Sequence, residues 1–377
     1  MNPHVVLFFT RGVSLRTWSM VGMLEREVAL YRFLRDSGFE ISFVTYGDRS
    51  ELSFAGQLHG IRILCNQSSM PLEDYERELI SLHSHVLEHA DIVKTNQMYG
   101  ADMALAASRA MGKPLVARCG YLWSCNAARE LGHDSPQARE ARRVEELVFS
   151  AADRVVVTTQ PMKADVIERL PQTASKIRVI PNYVDTDLFS PSQGKREKGT
   201  ILFVGRIAPE KNLESLIEAI EPLNTKLVLV GEGRQRPLLQ ERFGNSRGRI
   251  VWEGNVPNSR LPEYLNRASL FVLPSLYEGH PKALIEAMSS GSAVLGADSP
   301  GIREIVSHGE TGWLCKPDPV SIRSAVRELL SNDDLCNEMG KRARDYVLEH
   351  YSLEKIGRME VDLLGETVRN QSVISRR

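Results

Sequence analysis

Thirteen short runs of apolar and β-branched residues recur along this chain, with helix-periodic stretches between them. The runs are Val5–Thr10, Glu40–Thr45, Arg62–Cys65, Asp91–Thr95, Pro114–Cys119, Arg154–Thr159, Ile177–Pro181, Thr200–Gly205, Lys226–Gly231, Ile250–Gly254, Leu270–Ser275, Ala293–Ala297 and Gly312–Cys315. Most are continuously apolar rather than alternating, which is how a strand reads when helices cover both faces of a parallel sheet. The helical patterns are Met23–Asp36, Leu72–Ala90, Gln137–Ser150, Leu213–Ile220, Pro281–Ser290 and Ser321–Leu330, and two more, Asn337–Glu349 and Leu353–Asn370, follow the last strand. Strands alternating with helices mean an α/β fold built on parallel sheets.

Thirteen strands exceed what one small sheet holds, and a chain of 377 residues has room for two domains. The seam is Ser190–Gly199, SPSQGKREKG, a polar stretch with Pro, Gly and four consecutive charges at 195–198. It reads as an exposed linker. The expected layout is a first domain over 1–190, a linker over 191–199 and a second domain over 200–350. The helix at about 353–370 is free to pack back on the first domain.

Charge and cysteine usage narrow the function. Lys plus Arg total 47 against 48 for Asp plus Glu, a formal net charge of −1, so the basic excess of a nucleic-acid binder is missing. The five cysteines, Cys65, Cys119, Cys125, Cys315 and Cys336, are odd in number and scattered, which fits neither a disulfide framework nor a zinc ribbon. A reducing compartment suits them. No apolar run nears the ~20 residues of a membrane span. The reading is a cytoplasmic protein, with peripheral contact at the inner membrane surface left open.

In open α/β sheets, ligands bind beyond the carboxyl ends of the strands. Three segments of the second domain end a strand and turn toward a helix. Phe203-Val-Gly-Arg206-Ile-Ala-Pro-Glu-Lys211-Asn212 places two cations beside a helix start. Arg supplies a planar fork and Lys a point charge, a pairing suited to a diphosphate, and Asn212 is the expected N-cap. The plain alternative is a solvated Arg and Lys on a loop.

The second segment, Leu273-Pro-Ser-Leu-Tyr-Glu278-Gly279-His280-Pro281-Lys282-Ala-Leu284-Ile-Glu286, carries two carboxylates with seven residues between them. Gly279 permits a tight turn, and Pro281 is placed as a first helical residue. Carboxylates accept hydrogen bonds from sugar hydroxyls, and the helix start offers free N–H groups to the same space. Two exposed glutamates at this spacing also arise by chance. The third segment, Gly296-Ala-Asp-Ser-Pro-Gly301 followed by Gly309-Glu-Thr-Gly312, reads as strand, turn, short helix and turn.

Taken in order, these segments resemble the retaining glycosyltransferases of family 4, also called glycosyltransferase group 1, which have the GT-B fold of two Rossmann-like doubly wound parallel-sheet domains facing across a cleft. Pro181-Asn-Tyr-Val-Asp185-Thr-Asp187-Leu-Phe189 looks like the family's PNGVD…F segment. Gly205-Arg206 with Lys211-Asn212 looks like its GR…KN element, and Val230-Gly-Glu-Gly233 like its VGxG turn. Glu278 to Glu286 matches its EX7E signature, and 298–306 with 309–314 match the segments that follow.

The resemblance implies a transfer of a hexose-type sugar from a UDP- or GDP-sugar to a hydroxyl with retention, in bacterial cell-surface polysaccharide, glycolipid or glycoprotein biosynthesis. The acceptor would be a glycan, a lipid-linked sugar or a protein, and neither nucleic acid nor metal would take part. Arg206 and Lys211 would bind the diphosphate and Glu278 the donor sugar, beside the backbone of Gly279, His280, Pro281, Lys282 and Leu284. Glu286 would bind the ribose, and the backbone at Val256 would face the base. Gly22 stands where the family has two glycines near a phosphate, with Val21 replacing the other. Where the family often has a His after the strand at 114–119, this chain has Arg118, Gly120 and Tyr121. Arg118 and Tyr121 are acceptor-side candidates, weighed against simple packing. Asp185 and Asp187 read as structural rather than as a metal-binding DxD.

Other classes lack their fingerprints. There is no GxGxxG after the first strand, no Walker A loop and no GxSxG elbow. His83, His85 and His89 read as solvated helix-surface residues, and Arg139–Arg143 as a solvated face rather than a lipid contact. Two alternatives remain: a nucleotide-sugar epimerase of the same fold, and a non-catalytic nucleotide-sugar-binding subunit.

Overall fold

A computed structural model describes residues 2–244 and 248–374. The chain forms two compact units. The first comprises Met1–Ser19, Glu27–Pro181 and Ile356–Arg377, and the second Met20–Arg26 and Asn182–Lys355.

The first unit holds a seven-stranded sheet of β1 (His4–Phe8), β2 (Glu40–Asp48), β3 (Arg62–Asn66), β4 (Ile92–Thr95), β5 (Leu115–Cys119), β6 (Arg154–Val157) and β7 (Ile177–Val179), in the order β3-β2-β1-β4-β5-β6-β7. Every neighbouring pair is parallel. All five residues of β1 are buried, because helices cover both faces of the sheet, as its unbroken apolar run requires.

The second unit holds a six-stranded parallel sheet of β8 (Glu197–Val204), β9 (Lys226–Val230), β10 (Ile250–Gly254), β11 (Ala268–Leu273), β12 (Val294–Ala297) and β13 (Trp313–Cys315), in the order β10-β9-β8-β11-β12-β13. From β8 the chain winds first to β9 and β10 on one side, then to β11, β12 and β13 on the other. Its topological switch point therefore lies between β8 and β11. The core is continuous across both faces, from Phe203 and Leu270 to Leu284, Ile285 and Val326.

Residues 191–195 are exposed, but strand and packing begin within the stretch expected as a linker at 191–199. Strand β8 begins at Glu197, which pairs with Ala268. Arg196 turns inward, and its guanidinium donates to the carbonyls of Leu265, Ala268, Ser290 and Gly291. Burial lowers its pKa. The preceding stretch also packs into the second unit: the Asn182 side chain donates to the His280 carbonyl, the Val184 N–H to that of Tyr351, and Phe189 is buried in this core. Asp185 Oδ1 accepts from the N–H groups of Asp187 and Leu188, closing a turn.

The final helix, Leu353–Ile374, belongs to the first unit from Ile356 onward. Its anchor is Glu360, whose Oε2 lies 2.5 Å from Lys94 Nζ on β4, both side chains being almost wholly buried. Burial drives the Lys94 pKa down against the opposing pull of Glu360.

The helical pattern expected over 72–90 breaks at His83, which ends the helix Leu72–Leu82. His83 is buried, not solvated: its Nε2 is 2.9 Å from the Tyr75 hydroxyl. Burial pushes its pKa down to about 4. His85 and His89 are exposed. All five cysteines are free thiols.

Candidate donor site at the carboxyl edge of the second sheet

The loops after β8 and β11 leave the sheet on either side of the switch point, where a doubly wound sheet opens a crevice. The first carries Arg206 and then the 3₁₀ turn Pro209–Lys211. The second runs from Pro274 to the helix Lys282–Ser289. They meet at Lys211 and Glu278, whose Nζ and Oε1 are 2.5 Å apart with both side chains nearly buried. The same Glu278 oxygen accepts from the buried Ser275 hydroxyl at 2.7 Å.

The backbone fixes this pair from both sides. The Leu276 N–H donates to the Glu210 carbonyl, and the Glu278 N–H to that of Pro300. Gly301, at φ +86°, lies so close that a Cβ there would meet the Glu278 carbonyl oxygen at 2.4 Å. Only glycine meets both demands.

Asn212 occupies the start of the helix Leu213–Ile220 in the left-handed region, but its side chain does not cap that helix. It donates instead to the carbonyls of Pro274 at 3.1 Å and Pro317 at 2.9 Å, tying three loops together. Pro281 likewise precedes the first helical residue rather than occupying it. The shift leaves the first-turn amides, from Lys282 on, without acceptors inside the helix.

Arg206 is largely exposed, and its guanidinium lies 3.2 Å from the carboxylate of the buried Glu210, one turn on. An exposed pair of this kind contributes little stability, so its significance is positional: a buried acid holds an exposed cation at the mouth of the crevice.

Glu286 lies on the helix Lys282–Ser289 and is almost fully buried. Its Oε1 accepts from Asn258 Nδ2 at 3.0 Å and from Arg26 at 3.3 Å. Its Oε2 has no hydrogen-bond partner among the described residues. Buried polar atoms are nearly always paired, so this oxygen is an acceptor awaiting a donor. The two glutamates have separate partner sets, and each presents its carboxylate at a different depth.

Gly22 lies in the second unit rather than the first. Its backbone, at φ +75°, packs against 256–258: a Cβ there would meet the Val256 carbonyl oxygen at 2.3 Å, and its own carbonyl accepts from the Asn258 N–H. Gly22, Val256, Asn258, Arg26 and Glu286 thus form one contiguous group.

Gly205 follows β8, and Gly231 and Gly233 allow its loop to pass: a Cβ at Gly231 would meet the Gly205 carbonyl at 2.0 Å. Gly279 is half-buried, and Leu284 is a core residue. The His280 ring is buried edge-on against Tyr351, with centroids 4.8 Å apart. Lys282 Nζ lies over the Tyr183 ring at 5.4 Å.

In the first unit, Arg118 is nearly buried on β5, its backbone pinned by the Thr95 hydroxyl. The Tyr121 carbonyl accepts from the Cys119 thiol.

Sequence reading missed Arg26, Asn258, Ser275 and Glu210. Glu210 carried a signal, its four-residue spacing from Arg206. Arg26 and Asn258 carried none, because folding alone brings them to Glu286.

Comparison with known families and structures bears on the family and the fold. The family description "Glycosyl transferases group 1" matches residues 185–346, and "Glycosyltransferase Family 4" matches 28–188. The alpha-maltose-1-phosphate synthase of Mycolicibacterium smegmatis is 26% identical over 250 residues, which cover 58% of this chain and 65% of that protein. The chain thus spans about two thirds of that relative's length. Among solved structures, the sucrose-phosphate synthase of Thermosynechococcus elongatus superposes with a TM-score of 0.78 at 20% identity, covering 99% of this chain and all of that one. Anabaena HepE in complex with UDP and glucose superposes with a TM-score of 0.76 at 18% identity, covering 96% and 99%. At such identities these likenesses bear on the fold, which is GT-B. With its two sheets and with residues 28–346 spanned by the two family descriptions, the chain belongs to the group 1, family 4 glycosyltransferases.

Proposed function

We propose that this chain transfers a hexose-type sugar from a UDP- or GDP-sugar to an acceptor hydroxyl with retention, without a metal ion. The carrying observation is the Lys211–Glu278 contact at the switch point. A nearly buried cation and carboxylate from loops 67 residues apart are held there by backbone bonds on both sides. Lys211 and Arg206 meet the diphosphate, and Glu278 meets the hydroxyls of the transferred sugar. Glu286 takes a ribose hydroxyl on its unpartnered oxygen, with Gly22 and Val256 lining the nucleotide beside it. The complex of HepE with UDP and glucose supports a uridine donor.

In the reaction the bond from the anomeric carbon to the diphosphate oxygen breaks, and its electron pair leaves with the diphosphate. Lys211 and Arg206 stabilise that charge, positioned charge being commonly the largest catalytic contribution. The acceptor oxygen bonds to the anomeric carbon on the face the diphosphate leaves, and its proton passes to the departing phosphate oxygen. The acceptor is bound by the first unit, and a bacterial cell-surface glycan, glycolipid or glycoprotein is the class we favour. The protein acts in the cytoplasm, in peripheral contact with the inner membrane where its acceptor is lipid-linked. No helix among the described residues is long and apolar enough to cross a membrane.

The test is a panel of UDP- and GDP-linked hexoses and N-acetylhexosamines, read by thermal shift in chelator. A binding donor at a hundredfold excess over its Kd raises stability by about 2.7 kcal/mol. Stabilisation by one donor class supports the reading, and no shift with any of them overturns it. The anomeric proton of the transfer product, read by NMR, tests retention.

A further inference from the structure

Arg26 is held at both its ends. The chain passes from the first unit to the second after Ser19 and returns at Glu27, so Met20–Arg26 belongs to the second unit. Within this segment the Gly22 carbonyl accepts from the Asn258 N–H at 2.9 Å. At its end the Arg26 carbonyl accepts from the Tyr183 hydroxyl, and the Arg26 guanidinium donates to Glu286 Oε1 at 3.3 Å. Tyr183 is buried, and it stands at the place of the glycine in the PNGVD pattern. Lys282 Nζ lies 5.4 Å from the centre of its ring. Lys282 and Glu286 are four residues apart on one helix and so share a face. The contacts therefore close into a ring, from Glu286 through Arg26 and Tyr183 to Lys282 and back along the helix.

The Arg26–Glu286 pair is lopsided. The stronger geometry for an arginine and a carboxylate is the fork that takes both oxygens, which Arg11 forms with Glu76 at 2.6 and 2.9 Å. On Glu286, Arg26 and Asn258 Nδ2 both donate to Oε1, and Oε2 has no hydrogen-bond partner among the described residues. A glutamate's terminal torsion is soft, so a carboxylate with one donor is free to turn. Two donors on the same oxygen fix its plane and the direction in which the other oxygen points.

We infer that Arg26 is a positioning residue for the donor: it holds Glu286 by Oε1 and so aims Oε2 at the nucleotide ribose, and the Tyr183 hydroxyl holds Arg26 for that task. Arg26 acts through Glu286, and its effect is preorganisation: the acceptor oxygen is in place before the nucleotide arrives, so binding does not spend free energy on ordering it. The inference rests on the proposal that Glu286 accepts from the ribose. Its geometry lies wholly in the second unit.

The test is titration calorimetry of UDP and GDP on the whole chain, for the wild type, Arg26→Leu, Arg26→Lys and Tyr183→Phe, each with and without Glu286→Gln. The nucleotide that binds the wild type should bind Arg26→Leu about tenfold more weakly, the scale of one charge-assisted hydrogen bond. Arg26→Lys should recover part of that loss. Tyr183→Phe removes one neutral hydrogen bond and should weaken binding about threefold. It leaves the Arg26–Glu286 pair intact and carries the test if Arg26→Leu does not fold. In the Glu286→Gln background the effect of Arg26→Leu should shrink to within about twofold, because residues that act through one another are not additive. A tenfold loss that persists in that background overturns the inference, since Arg26 would then meet the nucleotide itself. A lowered melting temperature with unchanged affinity also overturns it and makes Arg26 structural. Wild-type binding with unaffected variants removes the positioning role and leaves the donor reading standing, whereas no binding of either nucleotide by the wild type removes both.

Discussion

Replacing Glu286 with glutamine tests what its unpartnered oxygen is for. Asn258 and Arg26 both donate to Oε1, so the glutamine of Glu286→Gln keeps its amide oxygen on that side and turns its NH₂ toward the place of Oε2. The substitution conserves volume and removes one charged acceptor. A hydrogen bond to a charged group contributes about 1.5–3 kcal/mol, so donor Kd should rise about ten- to a hundredfold, with turnover at saturation little changed. Stability of the unliganded protein should change by less than about 1 kcal/mol, because the variant no longer buries a half-satisfied carboxylate. Isothermal titration with the donor nucleotide and urea unfolding are read together. Unchanged affinity in a folded Glu286→Gln protein would refute the reasoning. A stability loss without an affinity loss would make Glu286 a structural residue.

Gly301→Ala puts a methyl group 2.4 Å from the Glu278 carbonyl at a backbone φ of +86°. Donor turnover should fall at least about tenfold, the size of 1.4 kcal/mol, with the melting temperature also lowered, and normal turnover would show that the 278–301 contact is unimportant. Lys94→Met strands the Glu360 carboxylate in the core and should cost about 3–5 kcal/mol, whereas Lys94→Met with Glu360→Leu should recover most of it. Chemical unfolding of the three variants shows whether it does. His83 titrates near 4 in the fold against an ordinary value of 6.5. Its contribution is therefore full above about pH 6.5, declines as pH falls toward 4, and amounts to about 3 kcal/mol. Unfolding of His83→Gln across this range should lack that slope, and an identical slope would clear His83 of it.

The thirteen strands among the described residues were legible because most are buried parallel strands, which write continuous apolar runs, and the helix Leu213–Ile220 was legible to the residue. The helices Ala101–Met111 and Trp123–Leu131 were not, because their buried faces are largely alanine and serine. Such faces give little contrast between apolar and polar positions. The break at His83 was hidden because its buried ring continues the apolar pattern of the preceding helix. Arg196 looked solvated in a charged run, and only the fold shows the ring of carbonyls that receives it.

At the candidate site, Lys211 and Glu278 could be named because their loops each end a strand with a turn. That the two side chains touch follows from the placement of β8 beside β11, a long-range fact. Gly22 was read with the first domain because it is near that domain in sequence. The backbone contact with Val256 puts it in the second.

The most direct test is the rate of nucleotide release from the donor that stabilises the protein, measured in one turnover for the wild type and Lys211→Ala. The account predicts release by the wild type and a fall of at least ~100-fold in the variant, the scale of losing one charge-stabilising contact. Equal rates in the two proteins would contradict it.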